Sequence, residues 1–111
     1  MPNIMNISIL GASGYVGSEI IHLCLKHPNI KIDSLSGNET AGLNVSKVIP
    51  GLRDSLDLSF KSLDQINFNN TDFIFSCLPH AELQSNFSKL PNNIKLIDLS
   101  ADFRLKDSQD Y

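Results

Sequence analysis

Three glycines within seven residues, Gly11, Gly14 and Gly17, are the first feature of this sequence with a chemical meaning. Free backbone N–H groups at the start of a helix, with the positive end of its dipole, hold phosphate oxygens. They do so only where the backbone comes close to the phosphate. Gly11 permits a sharp turn out of a strand, Gly14 carries no Cβ to block a pyrophosphate, and Gly17 lets a helix lie tightly on a sheet. The spacing is GxxGxxG rather than GxGxxG, and three glycines alone are a weak signal. A strand–helix turn that binds nothing is the bland alternative. On the ligand reading, Gly11, Ser13, Gly14, Tyr15 and Val16 line a pyrophosphate.

Cofactor choice is decided where the second strand of such a motif ends. An acidic residue there accepts from the ribose 2′-hydroxyl, and its absence leaves space for a 2′-phosphate. Here the strand exits as Leu35-Ser36-Gly37-Asn38-Glu39-Thr40, and Asp33 lies inside it. Ser36 and Asn38 therefore meet the ribose as donors, which favours NADP, although no arginine stands nearby. Leu78-Pro79-His80 and Ser100-Ala101-Asp102-Phe103-Arg104 also fall at carboxyl ends of strands, where ligands bind such sheets. His80 can orient a ligand or cap the next helix; Asp102 can serve a ligand or pair with Arg104. Cys24 and Cys77 are too few for a disulfide framework, and both read as reduced, buried thiols. No metal site is expected.

Positioning these residues needs an alternation of strands and helices. Met5 to Leu10 alternates apolar and polar residues, a strand. Val16, Ile20, Leu23 and Cys24 then recur on one helical face, with Ser18, Glu19, His22 and Lys26 opposite. Pro28 stops that helix at or before His27, and Ile30 to Leu35 is a second strand. A helix between two strands implies a parallel pair with a right-handed crossover. Ser36 to Arg53 is mainly loop, with a helical turn near Val45 to Val48, and Leu56 to Phe60 is a short strand. Ser62 followed by Gln65 fits a capping box and starts a short helix. After a turn at Asn69 to Asp72, Phe73 to Leu78 is apolar enough for a strand covered on both faces. Ala81 to Lys89 is a helix and Ile94 to Leu99 a final strand. The pattern is α/β: a Rossmann-like, doubly wound parallel sheet in one nucleotide-binding domain over residues 1–111.

Composition narrows the class further. With 41% apolar and 19% charged residues, the chain is a folded domain rather than a disordered one. Nine basic against twelve acidic residues leave a net charge of −3, so no basic face for nucleic acid is expected. No apolar run approaches the roughly 18 residues of a membrane helix. The first residues lack the basic region and cleavage site of a secretory signal, so a soluble, cytoplasmic protein without membrane partners is expected.

Gly11 to Glu19, Leu78-Pro79-His80 and Ile97-Asp98-Leu99-Ser100-Ala101-Asp102-Phe103-Arg104-Leu105 together resemble the N-acetyl-gamma-glutamyl-phosphate reductase family, within the semialdehyde dehydrogenases. The first motif is shared with many short-chain dehydrogenases and epimerases; the Leu-Ser-Ala-Asp-Phe-Arg-Leu run is far more specific. The resemblance covers the whole chain but only the first third or so of the family's usual length. It implies NADPH-dependent reduction of N-acetylglutamyl phosphate to the semialdehyde in arginine biosynthesis, by a homo-oligomeric enzyme. In that chemistry a cysteine thiolate attacks the acyl phosphate, phosphate leaves, and hydride reduces the thioester. The family's cysteine stretch, Asn-Pro-Gly-Cys in type, and its later histidine are absent from these residues. The resemblance thus implies a cofactor-binding part without its catalytic domain, inactive by itself. Leu78, Pro79 and His80 would flank the nicotinamide, with Ser100, Ala101 and Asp102 nearby. A short-chain dehydrogenase or epimerase fragment would need a Tyr-x-x-x-Lys that this chain lacks; a stand-alone dinucleotide-binding module is the other alternative.

Overall fold

The computed structural model describes residues 4–52 and 56–99. Its centre is β1 (Met5–Leu10), an alternating strand whose last four residues are all buried. It pairs in parallel with β2 (Ile30–Ser36) on one side and β4 (Phe73–Ser76) on the other. β3 (Phe60–Lys61) extends the sheet beyond β2, and β5 (Lys95–Asp98) beyond β4. The five strands are parallel in the order β3-β2-β1-β4-β5, the expected doubly wound arrangement. Alternation sends β1 side chains to two cores. Ile7 and Ile9 join Ile21, Ile32, Leu35 and Phe60, whereas Leu10 joins Ile66, Ile74, Leu78, Leu83 and Leu90.

Helix α1 (Tyr15–Leu25) crosses between β1 and β2, with its buried face rotated from the one its apolar spacing implies: Cys24 is buried and Ile20 packs on the core, as expected, but Leu23 does not. Gly17, Ile21 and Cys24 are buried, while Leu23 is 62% exposed. The reason is steric. A Cβ on Gly17 would lie 2.5 Å from the Ala12 Cα and 2.6 Å from the Ala12 carbonyl oxygen, so the helix docks on its glycine. That contact turns the helix until residues 17, 21 and 24 face the sheet and Leu23 turns to solvent.

Several element limits also differ from expectation, by one residue at the ends of β2 and β5 and by more elsewhere. The segment before β3 is tied to the preceding loop, with Val45 N–H donating to the Leu58 carbonyl and Phe60 N–H to that of Leu43. Only Phe60 and Lys61 remain to pair with β2, at Leu35 and Ser36. Ser62 makes no side-chain cap bond, and Leu63–Gln65 is a single 3₁₀ turn. β4 stops at Ser76, leaving Cys77 outside the strand and only partly buried. α3 (His80–Ser85) ends early at Asn86, whose side-chain amide folds back to donate to the Glu82 carbonyl at 2.8 Å. A separate 3₁₀ turn follows at Phe87–Lys89. The four-residue α2 (Val45–Val48) occupies the expected turn, capped by Asn44.

A register shift between Ile7 and Ser8 leaves Asp33 as the extra residue of β2. Its carboxylate accepts from Thr71 Oγ1 at 3.1 Å, and Thr71 shares a 2.7 Å hydrogen bond with the buried Ser8 hydroxyl. This polar chain stitches β1 and β2 to the segment entering β4, and it turns Asp33 away from the end of its strand.

Candidate functional site

The site begins where β1 stops. Gly11 takes φ +66°, a left-handed conformation that side chains resist. A Cβ there would also lie 3.0 Å from Leu78 Cδ2 and 3.2 Å from the Leu78 nitrogen. The turn is fastened to its neighbours by three backbone donors. Gly11 N–H donates to Ser36 Oγ at 2.8 Å, Ala12 N–H to the Ser36 carbonyl at 2.8 Å, and Cys77 N–H to the Leu10 carbonyl at 2.8 Å. The carboxyl ends of β2, β1 and β4 thus form one rigid rim.

Above this rim lies an open cleft of about 490 Å³, within the range of ligand pockets. Its floor is the turn at Gly11, Ser13 and Gly14, and one wall is Ser36 to Thr40. Ser62 to Asp64 and Cys77 to Pro79 complete the rim, and Glu82, Asn86 and Lys89 form the opposite wall. The cleft stands where strand order reverses about β1, the position at which open α/β sheets take ligands.

Gly14 is the informative residue. Its backbone is extended (φ −82°, ψ −179°), and a Cβ would meet nothing nearer than the Gly11 oxygen at 3.9 Å. Gly11 and Gly17 are required by the fold; Gly14 is not, and it faces the cleft. As N-cap of α1 it makes no side-chain bond, and the N–H groups of the first helical turn have no partner inside the helix. A phosphate fits that cradle, and a Cβ would fill it. Thr40 Oγ1, in the facing loop, is buried without a hydrogen-bond partner among the described residues.

The residues singled out in the sequence do not all meet here. Gly11, Ser13, Gly14, Ser36, Asn38, Leu78 and Pro79 line the cleft. Tyr15 is 83% exposed and Val16 half-buried; neither side chain lines the cleft, so each can meet a bound anion through its backbone N–H. His80 is the first residue of α3 rather than its cap, a place taken by Pro79. Its Nδ1 stands 3.9 Å from Asp98 Oδ2, and it lines a separate apolar groove with Leu83, Phe87 and Leu96. Ser100, Ala101, Asp102 and Arg104 lie outside the described residues. Glu82, Asn86 and Lys89 were missed, although their i, i+4, i+7 spacing behind a strand marks a polar stripe.

Charge in the cleft is mixed. Glu39, Asp64 and Glu82 face the single lysine of the lining, Lys89, which pairs with Asp64 at 2.7 Å. Asn38 Nδ2 donates to Glu82 Oε2 at 3.5 Å, spanning the cleft from wall to wall. Burial and the negative charge of Asp98 push the Cys77 thiol up to about 11. Burial also raises the Cys24 thiol, which sits in the core with Ile21. Neither is poised as a thiolate near neutral pH. Among the described residues no group of three or more His, Cys, Asp or Glu is placed to hold a metal, and no helix is long and apolar enough to cross a membrane.

Residues 6–111 match the family model described as semialdehyde dehydrogenase, NAD binding domain. The chain is 50% identical over 109 residues to an N-acetyl-gamma-glutamyl-phosphate reductase of Cereibacter sphaeroides, covering 97% of this chain and 32% of that protein. It is 46% identical over 106 residues to the protein of that name from Ruegeria pomeroyi, covering 95% and 31%. The chain therefore spans about a third of the length of these relatives. Among solved structures, aspartate semialdehyde dehydrogenase with NADP from Candida albicans superposes with a TM-score of 0.73 at 20% identity, over 94% of this chain and 32% of that one. The aspartate semialdehyde dehydrogenase II of Vibrio cholerae, complexed with ASA, gives 0.69 at 13% identity, over 94% and 30%. At those identities the likeness is one of fold.

Proposed function

The chain belongs to the semialdehyde dehydrogenase NAD-binding domain family, and from that premise we propose that it is the NADPH-binding part of an N-acetyl-gamma-glutamyl-phosphate reductase. The protein containing it would reduce N-acetylglutamyl phosphate to the semialdehyde, as a cytoplasmic homo-oligomer serving arginine synthesis. The observation that carries the cofactor reading is Gly14, a glycine that the fold does not demand, open to the cleft at the start of α1.

On this reading the first-turn N–H groups of α1 and the Ser13 hydroxyl hold the pyrophosphate. Tyr15 and Val16 contribute through the backbone. Ser36 and Asn38 meet the ribose and its 2′-phosphate. No carboxylate ends β2 to claim the 2′-hydroxyl, since the strand ends in Ser36 and Asp33, within it, is bonded to Thr71. Leu78 and Pro79, on the cleft's rim, would meet the nicotinamide side. The resemblance extends that part to Ser100, Ala101 and Asp102, which lie outside the described residues, and to His80, which here lines a neighbouring groove. When bound, the nicotinamide ring supplies the hydride. The residues of this chain bind and orient; neither cysteine is assigned the nucleophile's part, since burial holds both thiols protonated.

Titration calorimetry of the 111-residue chain with NADPH and NADH tests the reading. Saturable binding, tighter for NADPH by about tenfold (about 1.4 kcal/mol), is expected. Gly14→Val should abolish it while the chain stays folded, with a stability loss of only about 1 kcal/mol, as for an N-cap change. No saturable binding, or binding indifferent to Gly14→Val, would refute it.

A further inference from the structure

Resting on the reading of the cleft as a nicotinamide-nucleotide site, we propose that Glu82 is a specificity-determining residue. Its carboxylate favours a free ribose 2′-hydroxyl and works against a 2′-phosphate. The acidic residue that reads the ribose in such folds ordinarily ends β2. Here that strand ends in Ser36, and its one carboxylate, Asp33, is bonded to Thr71 away from the cleft. A carboxylate nevertheless reaches the same place from the opposite wall. Glu82, half-buried in the first turn of α3, sets Oε2 3.5 Å from the Asn38 amide nitrogen, 44 positions earlier in the chain.

Asn38 is the donor a 2′-phosphate would recruit, and Glu82 already holds it. A phosphate arriving there must part the pair and then sit beside a negative charge. Little nearby offsets that charge. Lys89 is engaged by Asp64 at 2.7 Å, and Glu39 adds a further carboxylate next to Asn38. A 2′-hydroxyl meets the opposite situation, because it can donate to Glu82 in place of the Asn38 amide. One side chain thus acts in opposite senses on the two cofactors. The net preference for NADPH is the difference between the donors Ser36 and Asn38 on one wall and Glu82 on the other.

The test is Glu82→Gln, which keeps shape and removes charge, in the 111-residue chain, with Kd measured for NADPH and NADH. The ratio Kd(NADH)/Kd(NADPH) should rise roughly 3- to 10-fold, the scale of one charge acting over about 5–8 Å in a solvent-exposed cleft. The rise should shrink in 0.5 M salt, which screens exposed charges. Glu39→Gln removes an equal charge without touching the bond across the cleft, so its effect should be smaller. In an Asn38→Ala background the Glu82→Gln effect should fall by half or more on a logarithmic scale, as coupled groups require. A ratio unchanged within twofold, a shift toward NADH, or an equal effect from Glu39→Gln would overturn the proposal while leaving the cleft a nucleotide site. Failure of the unaltered chain to bind either nucleotide would instead overturn the reading of the cleft itself.

Discussion

The Ser36 hydroxyl accepts from the Gly11 N–H at 2.8 Å, so the last residue of β2 holds in place the turn that leaves β1. The Ser36 carbonyl does the same for Ala12. A residue chosen from the sequence for a ribose is therefore also part of the frame that shapes the glycine turn. Ser36→Ala would leave the Gly11 N–H without its acceptor, costing about 1–2 kcal/mol in urea unfolding. Nucleotide affinity should fall with it, because the rim loosens. A variant as stable as the parent would show that the bond is dispensable.

The three glycines should separate cleanly by experiment. Gly17→Ala places a Cβ 2.5 Å from backbone, and overpacking of this kind costs about 1–3 kcal/mol or more. Gly11→Ala meets both a φ of +66° and a 3.0 Å contact, and should also destabilise. Gly14→Ala has neither problem; the loss should be within about 1 kcal/mol, as for an N-cap change. Its nucleotide affinity should nonetheless drop at least tenfold. Unfolding curves and titrations of the three variants together make the comparison.

Cys77 should be slow to alkylate near neutral pH and should accelerate as the pH approaches about 11, where its thiol ionises. Asp98→Asn removes a charge that raises the thiol, so the reaction at fixed pH should quicken. Because Cys77 lines the cleft, saturating NADPH should protect it. Mass spectrometry after iodoacetamide treatment reads all three effects, and fast labelling at pH 7 would contradict the first.

The same thiol bears on stability. Its folded value is raised from 9.0 to about 11, so the unfolded chain gives up its proton first as the pH rises. Below pH 9 both states hold the proton and stability is unaffected; from about 9 to 11 the unfolded state is favoured progressively. Thermal unfolding of Cys77→Ala should fall less steeply across that window than that of the parent.

Thr71→Val should cost about 1–3 kcal/mol, because it strands the fully buried Ser8 hydroxyl. Adding Ser8→Ala should cost less than the sum of the two single changes. Additive losses in chemical denaturation would argue that the Ser8–Thr71–Asp33 chain does not act as a unit.

The frame of the fold was legible because local rules and global fold agree along most of the chain. Alternation marked β1 and β2, the apolar run marked β4, and Gly11 punctuated the end of β1. Limits were less legible where a distant group competes for the backbone. Leu43 and Val45 draw the segment before Phe60 away from β2, and the Asn86 side chain closes α3 on the Glu82 carbonyl. Leu23 left the buried face of α1 for a similar reason. Apolar spacing weighs side chains, whereas this helix docks through the absence of one at Gly17.

By itself the sequence determined the class, a parallel α/β sheet with a glycine turn leaving its first strand, since periodicity, glycine spacing and the succession of elements are local properties of the chain. It also carried the resemblance that the family match bears out. Only the tertiary structure decided which residues share the cleft. Glu82 reaches Asn38, Asp33 turns away to Thr71, and His80 looks into another groove, because strand register and helix docking, not separation along the chain, set those distances. It likewise distinguished the glycines the backbone needs from the one that stands open to the cleft, a matter of neighbouring atoms that no spacing records.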